Sequence, residues 1–358
     1  MSEQKEYLVL GLMSGTSLDG VDLALCSFSL LNNKSNYKLL FSKTISYPYY
    51  LREKLEDALS ISTQDLHNLD QELAHYYSKN ILAFIEECGL TPDLIASHGH
   101  TILHQPDIGI TLQIGDGDVI ARETRIRVVN DFRIQDMSKG GQGAPLVPIG
   151  DRDLFGEYEF CLNLGGIANI SFNKNMKRIA CDISPCNMAL NTITSWIDIE
   201  FDNKGILASK GKIHQDLLNR LNALSYYAND PPKSLGKEWF LRKFLPEIRK
   251  TEISIEDALR TVNEHIADQV SSFINRTSVD KASVLVTGGG AYNTFLIKIL
   301  QNKSKAKLFI PDERLINFKE AIVFAYLGFL RVKNKVNILA SVTGAHSDTS
   351  AGVINNPN

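Results

Sequence analysis

Each half of this chain opens on a glycine-containing apolar stretch that reads as a β-hairpin. The first instance is residues 7–13, the turn Ser14-Gly-Thr-Ser-Leu-Asp-Gly20, and residues 21–26, with a third apolar stretch at 37–45. The second is residues 160–172, which contain Gly165-Gly166 and run into the turn Asn173-Lys-Asn175, followed by a partner stretch at 177–183. Apolar runs separated by Gly, Ser and Asp predict β-hairpins. Each predicted hairpin opens one half of the sequence. A chain of 358 residues also exceeds what one hydrophobic core usually accommodates, so two lobes are expected.

After each hairpin the pattern alternates. In the first half a long helical period covers 63–88 and ends at Gly89, whose freedom at positive φ suits a helix terminus. Strands are predicted at 94–97, 110–114 and 126–129, with a helix at 118–123. In the second half helices are predicted at 188–197, 214–224, 255–275, 294–301 and 320–331, with strands at 283–286 and 307–310. The expected class is α/β, with two actin-like (ribonuclease H-like) lobes and a central interlobe cleft. The expected division is 1–131, completed by 341–358, and 132–340.

Composition excludes several functions. A net charge of -3 gives no basic face for nucleic acid. No apolar run approaches the roughly 20 residues that span a bilayer, and the polar start Met1-Ser-Glu-Gln-Lys-Glu6 is no secretory signal. Five cysteines without a Cys-x-x-Cys spacing read as reduced thiols, hence a cytoplasmic protein.

The stretch Gly11-Leu-Met-Ser-Gly-Thr-Ser-Leu-Asp-Gly-Val-Asp22 is the most informative chemically. Glycine lets backbone N–H groups approach phosphate oxygens, and hydroxyls at Ser14, Thr16 and Ser17 can donate to them. Asp19 and Asp22 carry the oxygen ligands that Mg²⁺ favours. An ordinary Gly/Ser turn is the plain alternative, and the Gly-Lys-Ser/Thr ending of a Walker A loop is absent. Gly165 and Gly166 can supply a second phosphate-facing turn. Gly288-Gly289-Gly290, followed by Asn293, can lie against adenine and ribose. Asp182, near a strand end, suits a general base, or else a helix cap. His98, His100 and His104 fit no standard zinc spacing; hydrogen bonding to substrate or packing suits them better. Arg133 can grip a carboxylate or phosphate in two-pronged fashion, or join an interlobe salt bridge.

Taken together, these segments resemble the anhydro-N-acetylmuramic acid kinase family over nearly the whole chain. The likeness rests on residues 11–22, Gln113-Ile-Gly-Asp116, Asp131-Phe-Arg133, Gly140-Gly-Gln-Gly-Ala-Pro-Leu-Val-Pro148 and Asn163-Leu-Gly-Gly-Ile-Ala-Asn-Ile170. It continues through Pro231-Pro-Lys-Ser-Leu-Gly-Lys-Glu238, Gly288-Gly-Gly-Ala-Tyr-Asn293, Lys319-Glu-Ala-Ile-Val-Phe-Ala325 and Ser341-Val-Thr-Gly-Ala345, in the family's order. The resemblance implies a kinase that uses ATP and Mg²⁺ to open a 1,6-anhydro ring and phosphorylate O6. Under it, Gly15, Thr16, Ser17, Leu18, Asp19, Gly20, Val21 and Asp22 bind the phosphates. Asp182 activates water, Glu320 sits near the metal with Asp22, and Ser14, His98, Thr101 and Arg133 face the sugar. A small-molecule anhydro-sugar is then the partner, in a homodimer. The run Asp182-Ile-Ser-Pro-Cys-Asn187 departs from the family's Asp-Thr-Gly-Pro-Gly-Asn and leaves substrate choice open. A kinase of another anhydro-sugar such as levoglucosan, or a non-catalytic sensor, are the alternatives.

Overall fold

The computed structural model describes residues 6–15, 18–31, 34–278 and 281–357. Its strands are β1 Tyr7–Ser14, β2 Val21–Leu31, β3 Lys34–Ile45, β4 Leu94–Gln105, β5 Ile110–Ile114, β6 Val128–Asn130, β7 Phe160–Leu164, β8 Ile167–Lys174, β9 Lys177–Pro185, β10 Ser283–Thr287, β11 Lys307–Phe309 and β12 Val353–Asn355. They form two sheets, one in each of two compact units: Met1–Leu154 with Phe318–Asn358, and Phe155–Asn317.

The two sheets share one plan. In the first the order runs β3-β2-β1-β4-β6, and in the second β9-β8-β7-β10-β11. In each, the first three strands form an antiparallel meander, and the first strand lies parallel to the fourth. The first sheet adds β12 beside β6 and β5 beside β4. This is the α/β, ribonuclease H-like arrangement of an actin-type fold, repeated.

Sequence explains the packing of each unit. Helix Thr63–Cys88 carries Leu69, Leu73, Tyr77, Ile81 and Phe84 at spacings of three and four, hence on one face. That face packs on Leu10, Leu12, Leu23 and Leu25 of the first sheet. Ser62 caps its start through Asp65 N–H, and Gly89 closes it at φ 67°. In the second unit helix Ile255–Thr277 lays Leu259, Val262, Ile266 and Val270 into a core with Phe160, Leu162, Ile170 and Phe172. Among the described residues, no helix is long and apolar enough to cross a membrane.

The units change at Leu154/Phe155 and Asn317/Phe318, whereas the sequence reading put the changes at 131/132 and 340/341. Residues 134–153 stay with the first unit because Asp136 and Asp153 are fastened there. Thr343 donates its hydroxyl to Asp136 Oδ1 (2.8 Å) and Tyr326 donates to Asp153 Oδ2 (2.9 Å). Helix Glu313–Val332 approaches β1 at Gly11, where a Cβ would lie 1.9 Å from the Ala321 carbonyl oxygen. No larger residue fits there.

Candidate functional site

In open parallel sheets, ligands gather at the carboxyl ends of the strands, where the turns leave the sheet. In the first unit the ends of β1 and β6 and the middle of β4 bring Ser14, His98, His100, Thr101 and Arg133 into one region. Thr16 and Ser17 lie outside the described residues. Leu18 adopts φ 59° and donates its N–H to the Gly15 carbonyl (3.3 Å).

Ser14, at the end of β1, belongs to a buried polar chain. Tyr47 donates to Ser14 Oγ (2.7 Å), and Ser14 Oγ meets His100 Nδ1 (2.8 Å); Tyr77 lies 2.8 Å from the Tyr47 hydroxyl. Burial pushes the Tyr47 hydroxyl up to about 12 and His100 down to about 4, so both are neutral near pH 7. Ser14, 1% exposed, therefore has its hydroxyl occupied by protein partners and holds the end of β1 from within.

Arg133 is held by a second chain. It donates Nη1 to the Gly143 carbonyl (2.7 Å) and Nη2 to His98 Nε2 (2.7 Å). A guanidinium only donates, so His98 Nε2 accepts and its Nδ1–H points to the Gly99 carbonyl (2.9 Å). Burial and the nearby Arg133 charge lower the His98 pKa to about 3, which keeps that acceptor lone pair available. Gly143 in turn donates to Asp136 Oδ2 (2.9 Å). The segments 140–148 and 341–345 thus meet at one buried aspartate, and together they orient one arginine. Arg133 Nε is buried and lacks a hydrogen-bond partner among the described residues. Thr101 accepts from Gln113 Nε2 at 3.4 Å, and His104 bonds Thr111. Each of the three histidines has a non-metal partner, and among the described residues no group of three or more His, Cys, Asp or Glu gathers to hold a metal.

Two acids complete the first unit's set. Asp22 on β2 accepts a hydrogen bond from Thr44 on β3; burial raises its pKa, Thr44 lowers it, and Asp19 raises it again. Glu320, in helix Glu313–Val332, has a solvent-accessible side chain, yet the protein crowds its carboxylate enough that desolvation raises its pKa. Lys319 opposes that rise and Asp22 adds to it. Lys319 itself is bound to Asp151 (2.7 Å), both side chains being buried. The charge of Asp22 acting on Glu320 marks two neighbouring carboxylates, oxygen donors of the kind a divalent cation takes.

In the second unit, glycines gather where β7 and β10 end side by side. Gly288 takes φ 80°, and a Cβ there would meet Asn163 Oδ1 at 2.5 Å; one on Gly290 would meet Leu164 Cβ at 2.7 Å. Gly289 is exposed, with only Asn187 Nδ2 near its vacant Cβ position, at 3.5 Å. The Gly165 and Gly166 carbonyls accept from Asn187 and from Cys186 and Met188, clasping the start of helix Asn187–Ser195. Asn293, expected at the nucleotide, is instead buried as the cap of helix Thr294–Lys303, accepting from Leu296 N–H (3.0 Å).

Asp182 lies in β9 and caps no helix. Its Oδ2 accepts from Leu235 N–H (2.8 Å), its N–H donates to the Lys233 carbonyl (3.0 Å), and Tyr226 donates to its carbonyl (2.8 Å). Burial raises its pKa and the Leu235 N–H partly offsets this. The sequence singles out Asp182 without its partners; Leu235 lies in the motif 231–238, whereas nothing local marks Tyr226.

A family model described as anhydro-N-acetylmuramic acid kinase matches residues 7–357. The chain belongs to the anhydro-N-acetylmuramic acid kinase family. Among its relatives is the anhydro-N-acetylmuramic acid kinase of Mannheimia succiniciproducens, 36% identical over 98% of this chain and 99% of that protein. The Haemophilus influenzae protein of the same name is 35% identical, covering 99% of each. Among solved structures, the activator of 2-hydroxyisocaproyl-CoA dehydratase from Clostridium difficile, with bound ADPNP, aligns at TM-score 0.44 and 13% identity, over 91% of this chain and 96% of that one. Membership in this family of kinases makes the chain an enzyme.

Proposed function

We propose that this protein uses ATP to convert 1,6-anhydro-N-acetylmuramic acid into N-acetylmuramic acid 6-phosphate, in the cytoplasm, as a step in the recycling of cell-wall sugar. The observation that carries the reading is Asp182: a carboxylate whose pKa is raised by burial, with one oxygen held by a backbone N–H. Such a group is a base matched to water. Water adds through its oxygen to C1 while Asp182 takes its proton. The C1–O6 bond breaks with its electron pair on O6, and O6 bonds the γ-phosphorus as the bond to the β-phosphate oxygen breaks and ADP leaves.

The residues 15–22 bind the phosphates in this reading, and Gly165, Gly166, Gly288, Gly289 and Gly290 receive the rest of the nucleotide. Asp22 and Glu320 would hold Mg²⁺, which neutralises charge on the transferring phosphoryl group. Arg133, with its unpartnered Nε, grips the sugar's lactyl carboxylate, while His98 and Ser14 serve as supports and Thr101 borders the sugar. Levoglucosan lacks that carboxylate and gives Arg133 nothing to bind. The test is turnover in ¹⁸O-water with immediate borohydride reduction and mass measurement. One ¹⁸O at C1 and phosphate on O6 are expected; a phosphorylated product that keeps its anhydro ring overturns the reading.

A further inference from the structure

Residues 226–235 make three hydrogen bonds to a single residue, Asp182, through Tyr226, Lys233 and Leu235. β9 is the edge strand of its sheet, so its outer backbone groups are free to take such partners. The segment is itself anchored. Leu235 is buried in a cluster with Tyr226 and Tyr227, against which Trp239 and Ile167 pack. The Lys233 ammonium lies 4.7 Å above the Tyr226 ring. Tyr227 bonds His265 Nε2 (2.8 Å), and His265 Nδ1 bonds Asn222 (2.6 Å) in the core. A connection with this many anchors around one carboxylate does more than join two helices.

We infer that residues 226–235 are the positioning element of the base: Leu235 N–H fixes Asp182 Oδ2, leaving Oδ1 to receive the proton from water. This rests on the reading of Asp182 as the base. No hydrogen bond within the described residues occupies Oδ1. The proton passes from water to Oδ1 as the water oxygen bonds C1, and the C1–O6 pair stays on O6. An N–H directed at Oδ2 favours the charged carboxylate and restricts its rotation, so the ionised form persists to lower pH than burial alone would allow. Of the titratable groups beside Asp182, burial pushes the Cys181 thiol up to about 12 and raises the Tyr226 hydroxyl; behind them burial raises the Tyr227 hydroxyl and holds its partner His265 down to about 3. These stay neutral through the working pH range, and Lys233 is part of the segment.

The experiment uses the full-length enzyme with ATP and anhydro-N-acetylmuramic acid. Leu235→Pro removes the N–H, Leu235→Ala retains it, and Tyr226→Phe removes the hydroxyl while keeping the ring. Leu235→Pro and Tyr226→Phe are expected to lower kcat by about tenfold, with KM for ATP within about twofold. The acid limb of the kcat profile moves to higher pH in Leu235→Pro, which loses the donor to the carboxylate, and by less in Tyr226→Phe, which loses the hydroxyl that holds the Asp182 carbonyl in register with Leu235; it stays in place in Leu235→Ala. If Leu235→Pro does not fold, Tyr226→Phe decides. Lower melting temperature with an unmoved acid limb means a merely structural segment and overturns the inference. Asp182→Asn, run in parallel, separates the two ideas. If that variant keeps its activity, the base assignment falls and this inference with it; if it is inactive while Leu235→Pro and Tyr226→Phe keep the wild-type profile, only the inference falls.

Discussion

The two sheets place corresponding rows of residues one pair in from their hairpin turns, and the rows differ in where the acid stands. In the first sheet the row is Met13, Asp22 and Thr44 across β1, β2 and β3. In the second it is Asn163, Asn169 and Asp182 across β7, β8 and β9. Residues paired across strands share a face, so each row presents one set of side chains together. The first row keeps its acid in the middle strand, satisfied from within the sheet by Thr44. The second moves it to the edge strand, where a neighbouring segment, not the sheet, supplies its partner. A repeated topology therefore does not repeat its chemistry. An internal acid is suited to fixed charge, and an edge acid to adjustable basicity.

The comparison is broken most directly at the edge. Asp182→Asn is expected to lower kcat by about 10³-fold, with ATP affinity by calorimetry unchanged. Activity should fall as pH drops through a range above that of an ordinary aspartate, because burial raises this pKa and the base must be ionised. The same shift has a stability sign. An aspartate with raised folded pKa costs stability when ionised, so the Asn variant should melt higher than wild type at pH 7. That difference should vanish as pH falls through the raised pKa to below the unfolded value.

Asp22→Asn should cost about 100-fold in kcat, the scale of one lost electrostatic group, and recover partly at high Mg²⁺. A loss larger than that of Asp182→Asn would reverse the division of labour between the rows. Arg133→Ala should raise KM for anhydro-N-acetylmuramic acid by about tenfold and leave levoglucosan phosphorylation little changed, measured in paired assays. An equal effect on both sugars removes the carboxylate grip. The smallest effect belongs to Thr44→Val, which deletes the partner of Asp22 and should lower kcat by about threefold.

Local pattern made much of this fold readable. Helix Thr63–Cys88, its Gly89 terminus and strand β5 fall where periodicity and glycine placed them. β4 is far longer than the predicted 94–97, because His98 and His100 break the apolar pattern yet are buried through hydrogen bonds to Gly99, Arg133 and Ser14. Tertiary partners there override what composition suggests. Asp182 was legible as a strand-borne acid, but the donor on its Oδ2 lies 53 residues away, and no local signal joins the two. Asn293 caps helix Thr294–Lys303, a role the sequence does not separate from a ligand-facing one beside a glycine run.

β12, residues 353–355, completes the first sheet by pairing with β6, and the part of helix Glu313–Val332 that fills the space against Gly11 arrives only with Ala321. The second unit, by contrast, is one uninterrupted stretch, Phe155–Asn317. During translation that stretch can emerge from the ribosome and assemble while the earlier-made half still waits for its missing pieces. The amino-terminal half is born first and finished last.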